Sequence, residues 1–596
     1  MDFETLPSGD RFAFWDDATI YRRVYHVAQE HPLASDTQPG TADAPFRSIN
    51  AAALVLQPGE KVIVHTGVYR ECVRPARGGD GPEGMIAYEA APGEQVVISG
   101  SEMWTPEVQP SANYAVAPPS NGATIWMAAL PEVFTESYQP FLLRNAYAYL
   151  PAYGELKDTE FLKRALLRRG ALFMDGTPLR QVYFLQELTT QDGAFWVEEP
   201  GTRVHFRLPG DADPAGHQLE ITAREQLFAP RDFGLGYLRV DGFHFEHAAD
   251  GLPVPQRAAV STMRGHHWII AHNDIIWANG CGLDIGAQTW EARVPEQTGH
   301  HIIGANTIRH CGICGIAGAQ GVHHTLIEDN VIEAIGYHNL ERMWECGGIK
   351  FHLAEHSLIR RNILRHLHHA GGIWLDCSNV NNRITDNVFA DISALCGGVY
   401  MEMTYAQNLI DHNIFWDIRD PDGTAHDMGG GAAVRADCNE ALVVAHNFFG
   451  YVQGHAVMFG LGQSDRQHEG RTGLCHANAA YNNVFHNCPH RVHLGRRAEN
   501  RSDGNLYDSP DDRCAFEIAH PGPRCLQNLA GWQKYFTLDT HSMQAMITAS
   551  FDIATGSLHW HADSALPETQ PVVGLPTGAL LAIPGPFHAN RVDKEP

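Results

Sequence analysis

Long apolar runs are missing: no segment approaches the ~20 residues a membrane-spanning helix needs, and the N-terminus, MDFETLPSGD, is acidic and polar. No membrane span or secretory leader is expected, and the chain reads as cytoplasmic. Positive charge is also scarce. With 43 Lys and Arg against 69 Asp and Glu, the formal charge of −26 argues against nucleic acid or an anionic membrane as partner. Cysteine is sparse, 12 in 596 residues, with one CxxC (Cys311 to Cys314) and no second pair at zinc-like spacing. Buried free thiols are expected rather than a disulfide framework or a metal knuckle. HExxH is absent, so the 35 histidines, doublets such as His266-His267, His300-His301, His323-His324 and His368-His369 included, read as polar lining at scattered corners. No metal is assigned to them.

What is present is turn formers, 57 glycines and 34 prolines, and a repeat. Short strands of the form apolar-x-x-Asn-x-apolar recur around Asn273, Asn306, Asn330, Asn362, Asn387, Asn413, Asn447 and Asn483, at intervals of 24 to 36 residues. A minimum near two dozen with occasional excess fits one coil of a parallel β-helix, in which surplus residues leave as corner loops. Leucine-rich repeats have similar periods but demand a leucine framework, whereas these segments are rich in Ile, Val, Phe, Asn and Gly. The recurrent asparagine is expected in a left-handed turn, its amide hydrogen-bonded to its counterpart one coil away.

Upstream, Ile49, Ala52, Ala53 and Leu56 lie at helical spacing before Pro58-Gly59, where a solenoid needs a cap on its open edge. KVIVH and VVISG follow as first coils. Between about 103 and 235 the Asn pattern gives way to ATIWMAAL, PLRQVYFL, GAFWVEE and TRVHFRL among Pro and Gly turns, the signature of a β-sandwich. The expected organisation of this all-β chain is therefore cap and first coils over 20–102, an inserted sandwich over 103–235, the main parallel β-helix over 236–500, and a terminal coil, cap and tail over 501–596.

Three successive coils carry one phrase: GGIKFH (347–352), GGIWLD (371–376) and GGVYME (397–402). Alternation points Ile349, Ile373, Val399 and Phe351, Leu375, Met401 inward. The outward columns are then Lys350, Trp374, Tyr400 and, beside them, His352, Asp376, Glu402, with GGAAVR (430–435) extending the second column to Arg435. Strands in a parallel sheet lie about 4.8 Å apart, close to the roughly 5–5.5 Å between the two carboxyl groups of a retaining glycosidase. Asp376 and Glu402 form such a pair, and crowding raises the pKa of one of them. Trp374 and Tyr400 offer flat surfaces to a sugar, while Lys350, His352, Arg435 and the nearby Glu345 can hydrogen-bond its hydroxyls.

From Glu345 to Asn413, ECGGIKFH, GIWLD and the Glu402 strand followed by LIDHNI resemble the active-site stretch of the β-xylosidases of glycoside hydrolase family 120. The resemblance implies a right-handed parallel β-helix carrying a β-sandwich, with Asp376 as nucleophile, Glu402 as acid/base and Glu345 as a further acidic site residue. It also implies exo-acting removal of xylose from short β-1,4-xylo-oligosaccharides with retention, no cofactor, a cytoplasmic setting, and a homo-oligomer with a tetramer as the expected size. The rivals are a β-helix polysaccharide lyase, with Lys350 or Arg435 as base and bound calcium, and a non-catalytic carbohydrate-binding solenoid. The charge of −26 favours neutral sugars over polyuronates, and a binding solenoid needs no acid pair.

Overall fold

The computed structural model describes residues 4–575 apart from 112–117, 132–137, 143–169, 199–200, 252–255, 290–293, 341–344, 422–429, 461–466, 469, 496–498, 509–513, 520–522 and 573–574. Its body is a parallel β-helix. Each full coil contributes one strand to each of three sheets, which hold 13, 13 and 11 strands among the described residues. Ile, Val, Phe and Ala side chains from all three sheets fill one continuous core. Along the second sheet, Phe389, Phe415, Phe449 and Phe485 stack through that core, with ring centroids 4.7, 5.0 and 5.0 Å apart.

The asparagine ladder exists and is wholly buried. In each step the Oδ1 of one asparagine accepts from the backbone N–H and side-chain amide of its counterpart on the preceding coil: Asn387 donates to Asn413 (2.9 and 3.1 Å), and Asn413 to Asn447 (2.9 and 3.0 Å). Asn505 extends the ladder beyond Asn483. One expectation is corrected: the left-handed residue is the one before each asparagine. His272, Ala305, Asp329, Arg361, Asp386, His412, His446 and Asn482 have φ between 54° and 63°. That residue turns the chain out of the first sheet and leaves the asparagine inside the bend. Holding non-glycine residues there costs ~1–2 kcal/mol each, which the paired amide bonds offset.

Three of the four histidine doublets are not scattered. His267, His300, His324 and His356 share one corner and stack face to face at 4.6, 4.8 and 4.8 Å. The N-terminal arm runs beside them: Trp15 packs on His267, 5.3 Å between ring centroids, and its indole N–H donates to the His300 carbonyl (2.9 Å).

Helix α1 (Ile49–Val55) closes the N-terminal end. Ser48 caps it by accepting from the Ala51 N–H, and Ile49, Ala52, Ala53 and the C-cap Leu56 are all buried against the first coil. KVIVH supplies a strand of the first sheet (Glu60–Val64) and VVISG one of the second (Val96–Ser99). Between Ser101 and Thr222, two mostly antiparallel sheets of four and five strands enclose a separate core that includes Phe195, Phe206, Leu172 and Ile221. The parallel coils resume at Leu238–Asp241. Past residue 500 the coils continue through Arg501–Asp503 and Leu506–Asp508. Helix α2 (Leu529–Phe536), with Trp532 wholly buried, and a hairpin of Ile547–Asp552 with Ser557–Ala562 then pack onto the coils. The final stretch, 576–596, lies outside the described residues.

The strands that matter for chemistry belong to the third sheet: β1 (Cys281–Asp284), β2 (Cys314–Gly318), β3 (Gly347–His352), β4 (Gly371–Asp376), β5 (Val399–Glu402), β6 (Val434–Asp437), β7 (His455–Phe459), β8 (His490–Gly495) and β9 (Phe516–Ala519), adjacent in that order. Glycine lets β4 and β5 approach the phenylalanine stack. A Cβ on Gly372 would lie 2.3 Å from the Gly398 carbonyl oxygen and 2.8 Å from the Phe389 ring. Nine of the twelve cysteines are buried, as expected.

Candidate active site

Register fixes the site. Across β3 to β5 the Cα partners are Lys350, Trp374 and Tyr400 in one column, and His352, Asp376 and Glu402 in the next. Ile349, Ile373, Val399 and Phe351, Leu375, Met401 point into the core. Asp376 and Glu402 are thus direct partners on neighbouring strands of the same face, so their backbones lie about 4.8 Å apart.

Arg435 requires a correction. It pairs with Tyr400, not with Glu402, and the acidic column continues with Asp437. The Gly430-Gly431 pair precedes the strand, and Ala432 and Ala433 occupy the places equivalent to Gly397 and Gly398, as their hydrogen bonds to Gly398 and Val399 require. Aligning the glycines therefore slips the register by two residues. A better signal was available: Asp376-Cys377 recurs as Asp437-Cys438, and both cysteines adopt the same left-handed bend (φ 52°).

The outward face is not open surface. Lys350, His352, Trp374, Asp376, Tyr400, Glu402, Arg435 and Asp437 are all buried, as is Glu345 beside them. Charges this deep must be paired. The Lys350 ammonium donates to Asp376 Oδ2 (2.8 Å), lies 3.8 Å from Glu345 Oε2 and 3.2 Å from His352 Nε2, and sits 3.7 Å above the Trp374 ring. His352 bridges the same two acids, Nε2 to Glu345 (3.3 Å) and Nδ1 to Asp376 (3.5 Å). The Cys377 thiol reaches Asp376 Oδ1 at 3.0 Å, and Gln256 donates to Glu345 (3.4 Å). Glu345 holds a left-handed backbone (φ 64°), local strain that aims its carboxylate at Lys350.

The electrostatics follow from that packing. Burial pushes the Asp376 carboxyl up, but Lys350, then His352, outweigh it and hold the group well below the usual carboxylate range. Glu345 is lowered by the same opposition. Burial would drive the Lys350 ammonium down, yet Asp376 and Glu345 push it above the ordinary lysine value. Asp376 is therefore ionised through its contact with a lysine, a cause that sequence reasoning, which looked to repulsion between the acids, did not identify.

Trp374 and Tyr400 pack against each other at 5.2 Å with their planes tilted by 33°, and with Cys396 they form a small apolar cluster apart from the main core. Their outer faces meet Lys350 and, at 4.5 Å from the Tyr400 ring, the Arg435 guanidinium. With their faces covered in this way, neither ring presents an open flat platform. Asp437, which sequence reasoning missed, ties this column down. It accepts from the Tyr400 hydroxyl (2.9 Å) and from Arg435 Nη2 and Nε (2.5 and 3.1 Å).

His352, Asp376 and Cys377 place metal-ligand atoms within 4.8 Å of one another. The Lys350 ammonium already supplies the positive charge there. Among the described residues, no helix is long and apolar enough to cross a membrane.

Comparison with known proteins agrees on the architecture. Residues 258–449 match the family described as "Right handed beta helix region". No curated protein matches the chain. Among solved structures, XylC in complex with xylose is similar in fold, with TM-score 0.61 and 22% identity over 81% of this chain and 83% of that one. A second, described as a glycoside hydrolase, has TM-score 0.50 and 13% identity over 79% of this chain and 96% of its own. The chain is a right-handed parallel β-helix.

Proposed function

We propose that the protein is a retaining, exo-acting β-xylosidase that releases xylose from short β-1,4-xylo-oligosaccharides. The observation that carries this reading is the direct pairing of Asp376 with Glu402 on adjacent strands, with Asp376 held ionised by the buried Lys350. The likeness to XylC, whose structure holds xylose, supports a pentose substrate. So does the family 120 resemblance around ECGGIKFH and GIWLD.

Asp376 Oδ2 is engaged by Lys350 and His352, whereas among the described residues Oδ1 receives only a weak thiol donor, so Oδ1 is the attacking atom. It forms a bond to the anomeric carbon as the glycosidic C–O bond breaks, and Glu402 gives its proton to the departing oxygen. Glu402 then takes a proton from water, which attacks the anomeric carbon, returns the electron pair to Asp376 and yields the β-anomer. Lys350 and His352 keep Asp376 and Glu345 charged and oriented. Glu345, Trp374 and Tyr400 line the sugar site, with Arg435 supporting the aromatic pair. This chemistry asks for no cofactor. An assembly of several copies and a cytoplasmic setting belong to the same proposal.

The lyase reading fares worse. A lyase base must be able to give up its proton, and Lys350 is locked between two carboxylates that strengthen its hold on it. The test is turnover of nitrophenyl β-xyloside, β-glucoside and α-arabinofuranoside by wild type, Asp376→Ala and Glu402→Ala. β-Xyloside hydrolysis lost with Asp376, and loss at Glu402 that is worse for poor leaving groups, is the expected pattern. Equal loss for good and poor leaving groups at Glu402 removes its acid role, and sugar binding without turnover by wild type would leave a binding solenoid.

A further inference from the structure

Further along the third sheet, β7, β8 and β9 bring together His455, His493 and Glu517. In the register His493 partners Glu517 directly and follows Met458 and Arg435 in the same column. All three residues are buried, each with an exposure of 3%. His455 Nε2 lies 3.4 Å from Glu517 Oε2, and His493 Nδ1 lies 3.3 Å from Glu517 Oε1. One ligand atom from each residue falls within 4.8 Å of the other two. Among the described residues, neither ring nitrogen of His493 makes a well-aligned hydrogen bond, nor does Glu517 Oε2. Polar atoms left buried without an aligned partner are costly, so they call for an occupant.

We propose that these residues bind one divalent transition-metal ion of the zinc class. Two imidazoles and one carboxylate are the donor set such an ion prefers, whereas calcium and magnesium take oxygen donors throughout. Zinc–donor bonds of ~2.0–2.1 Å in a tetrahedron set neighbouring donors about 3.3–3.4 Å apart, the separation observed between His455 Nε2 and Glu517 Oε2, while His493 Nδ1 lies beside the second carboxylate oxygen, Oε1. Arg524 holds the other side of the carboxylate, Nε to Oε1 at 2.7 Å, from a partly exposed position at the rim. It leaves Oε2 facing His455. This differs from the His352–Asp376–Cys377 group, where a wholly buried lysine sits against the carboxylate oxygen itself. Water completes the fourth position. The ion pins three successive coils next to the place where the sheet ends in the antiparallel strand Cys525–Gln527, a structural role independent of the acid pair.

The test uses the full chain, stripped with chelator and titrated with Zn²⁺ by calorimetry and with Co²⁺ by visible absorption. The expected result is one equivalent bound, four-coordinate cobalt bands, a higher melting temperature with Zn²⁺, and at least about a hundredfold weaker binding in His493→Ala and Glu517→Gln. Absence of stoichiometric binding to the folded wild type overturns the proposal and leaves Arg524 as the partner that neutralises Glu517. So does undiminished binding by both variants, which would put the metal elsewhere. Should either variant not fold, the wild-type stoichiometry and cobalt spectrum decide alone.

Discussion

Replacing Lys350 by methionine removes the one ammonium that Asp376 and Glu345 share while keeping most of the side-chain volume. At 2.8 and 3.8 Å and an effective dielectric near 20, the two attractions amount to about 6 and about 4 kcal/mol before desolvation. Removing one partner of a buried ion pair typically costs about 3–5 kcal/mol, the scale expected in urea unfolding. Part of that cost is avoided if a carboxyl takes up a proton. With Lys350 gone, burial becomes the dominant influence on Asp376 and its pKa rises. The acid limb of the kcat/KM profile on a xyloside should then move upward by at least about one pH unit. Lys350→Arg, which preserves the charge, should leave the limb near its wild-type position even if packing over Trp374 suffers, and it serves as the control if Lys350→Met does not fold. An unshifted acid limb in a folded Lys350→Met protein would refute the assignment of Lys350 as the group that keeps the nucleophile ionised.

Other outcomes follow from the same structure. Asn387→Ala removes an amide that donates to Ile359, Thr385 and Asn413 and accepts from Asn362, so a loss of about 3 kcal/mol or more is expected in urea unfolding. Asp437→Asn leaves the buried Arg435 guanidinium without its counter-charge and should destabilise by about 3 kcal/mol or more, whereas adding Arg435→Met should cost less than the sum of the two single changes. Stability should also fall in acid through the histidine ladder. Burial, then neighbouring histidines, lowers His267 and His300 from 6.5 to about 4. The unfolded chain therefore binds protons that the folded one refuses, so stabilisation is complete above pH 6.5 and drains away toward pH 4. His300→Gln should flatten the melting temperature across that window relative to wild type.

Much of the fold was legible because a solenoid writes its geometry in one dimension. The intervals between Asn273 and Asn483 reveal the coils, and the Gly-Gly phrases align β3, β4 and β5 with the register the structure has. Legibility ends where local sequence stops dictating position. The pair Gly430-Gly431 imitates the phrase but sits in the turn, which displaced Arg435 by one column and hid Asp437. The left-handed positions before each asparagine are taken by His, Asp, Arg, Ala and Asn, so no single residue type marks them. Alternation told which side chains leave the core but not that others roof them. Burial of the outward face is tertiary, and only it makes Lys350 the electrostatic centre of the site instead of a solvated hydroxyl donor. The doublets at 266–267, 300–301 and 323–324 looked unrelated because the coils between them differ in length, although their corners coincide.

The central claim is that Asp376 attacks the anomeric carbon while Glu402, its partner across the strand boundary, manages the proton. Incubation with a 2-deoxy-2-fluoro-β-xyloside bearing an activated leaving group, followed by intact-mass and peptide analysis, tests it most directly, because the fluorine slows hydrolysis of a covalent intermediate. The account predicts a single fluoroxylosyl adduct on the peptide containing Asp376, formed in wild type and absent from Asp376→Ala. An adduct on Glu345 or Glu402, or efficient xyloside turnover that yields the α-anomer and no adduct, would contradict it.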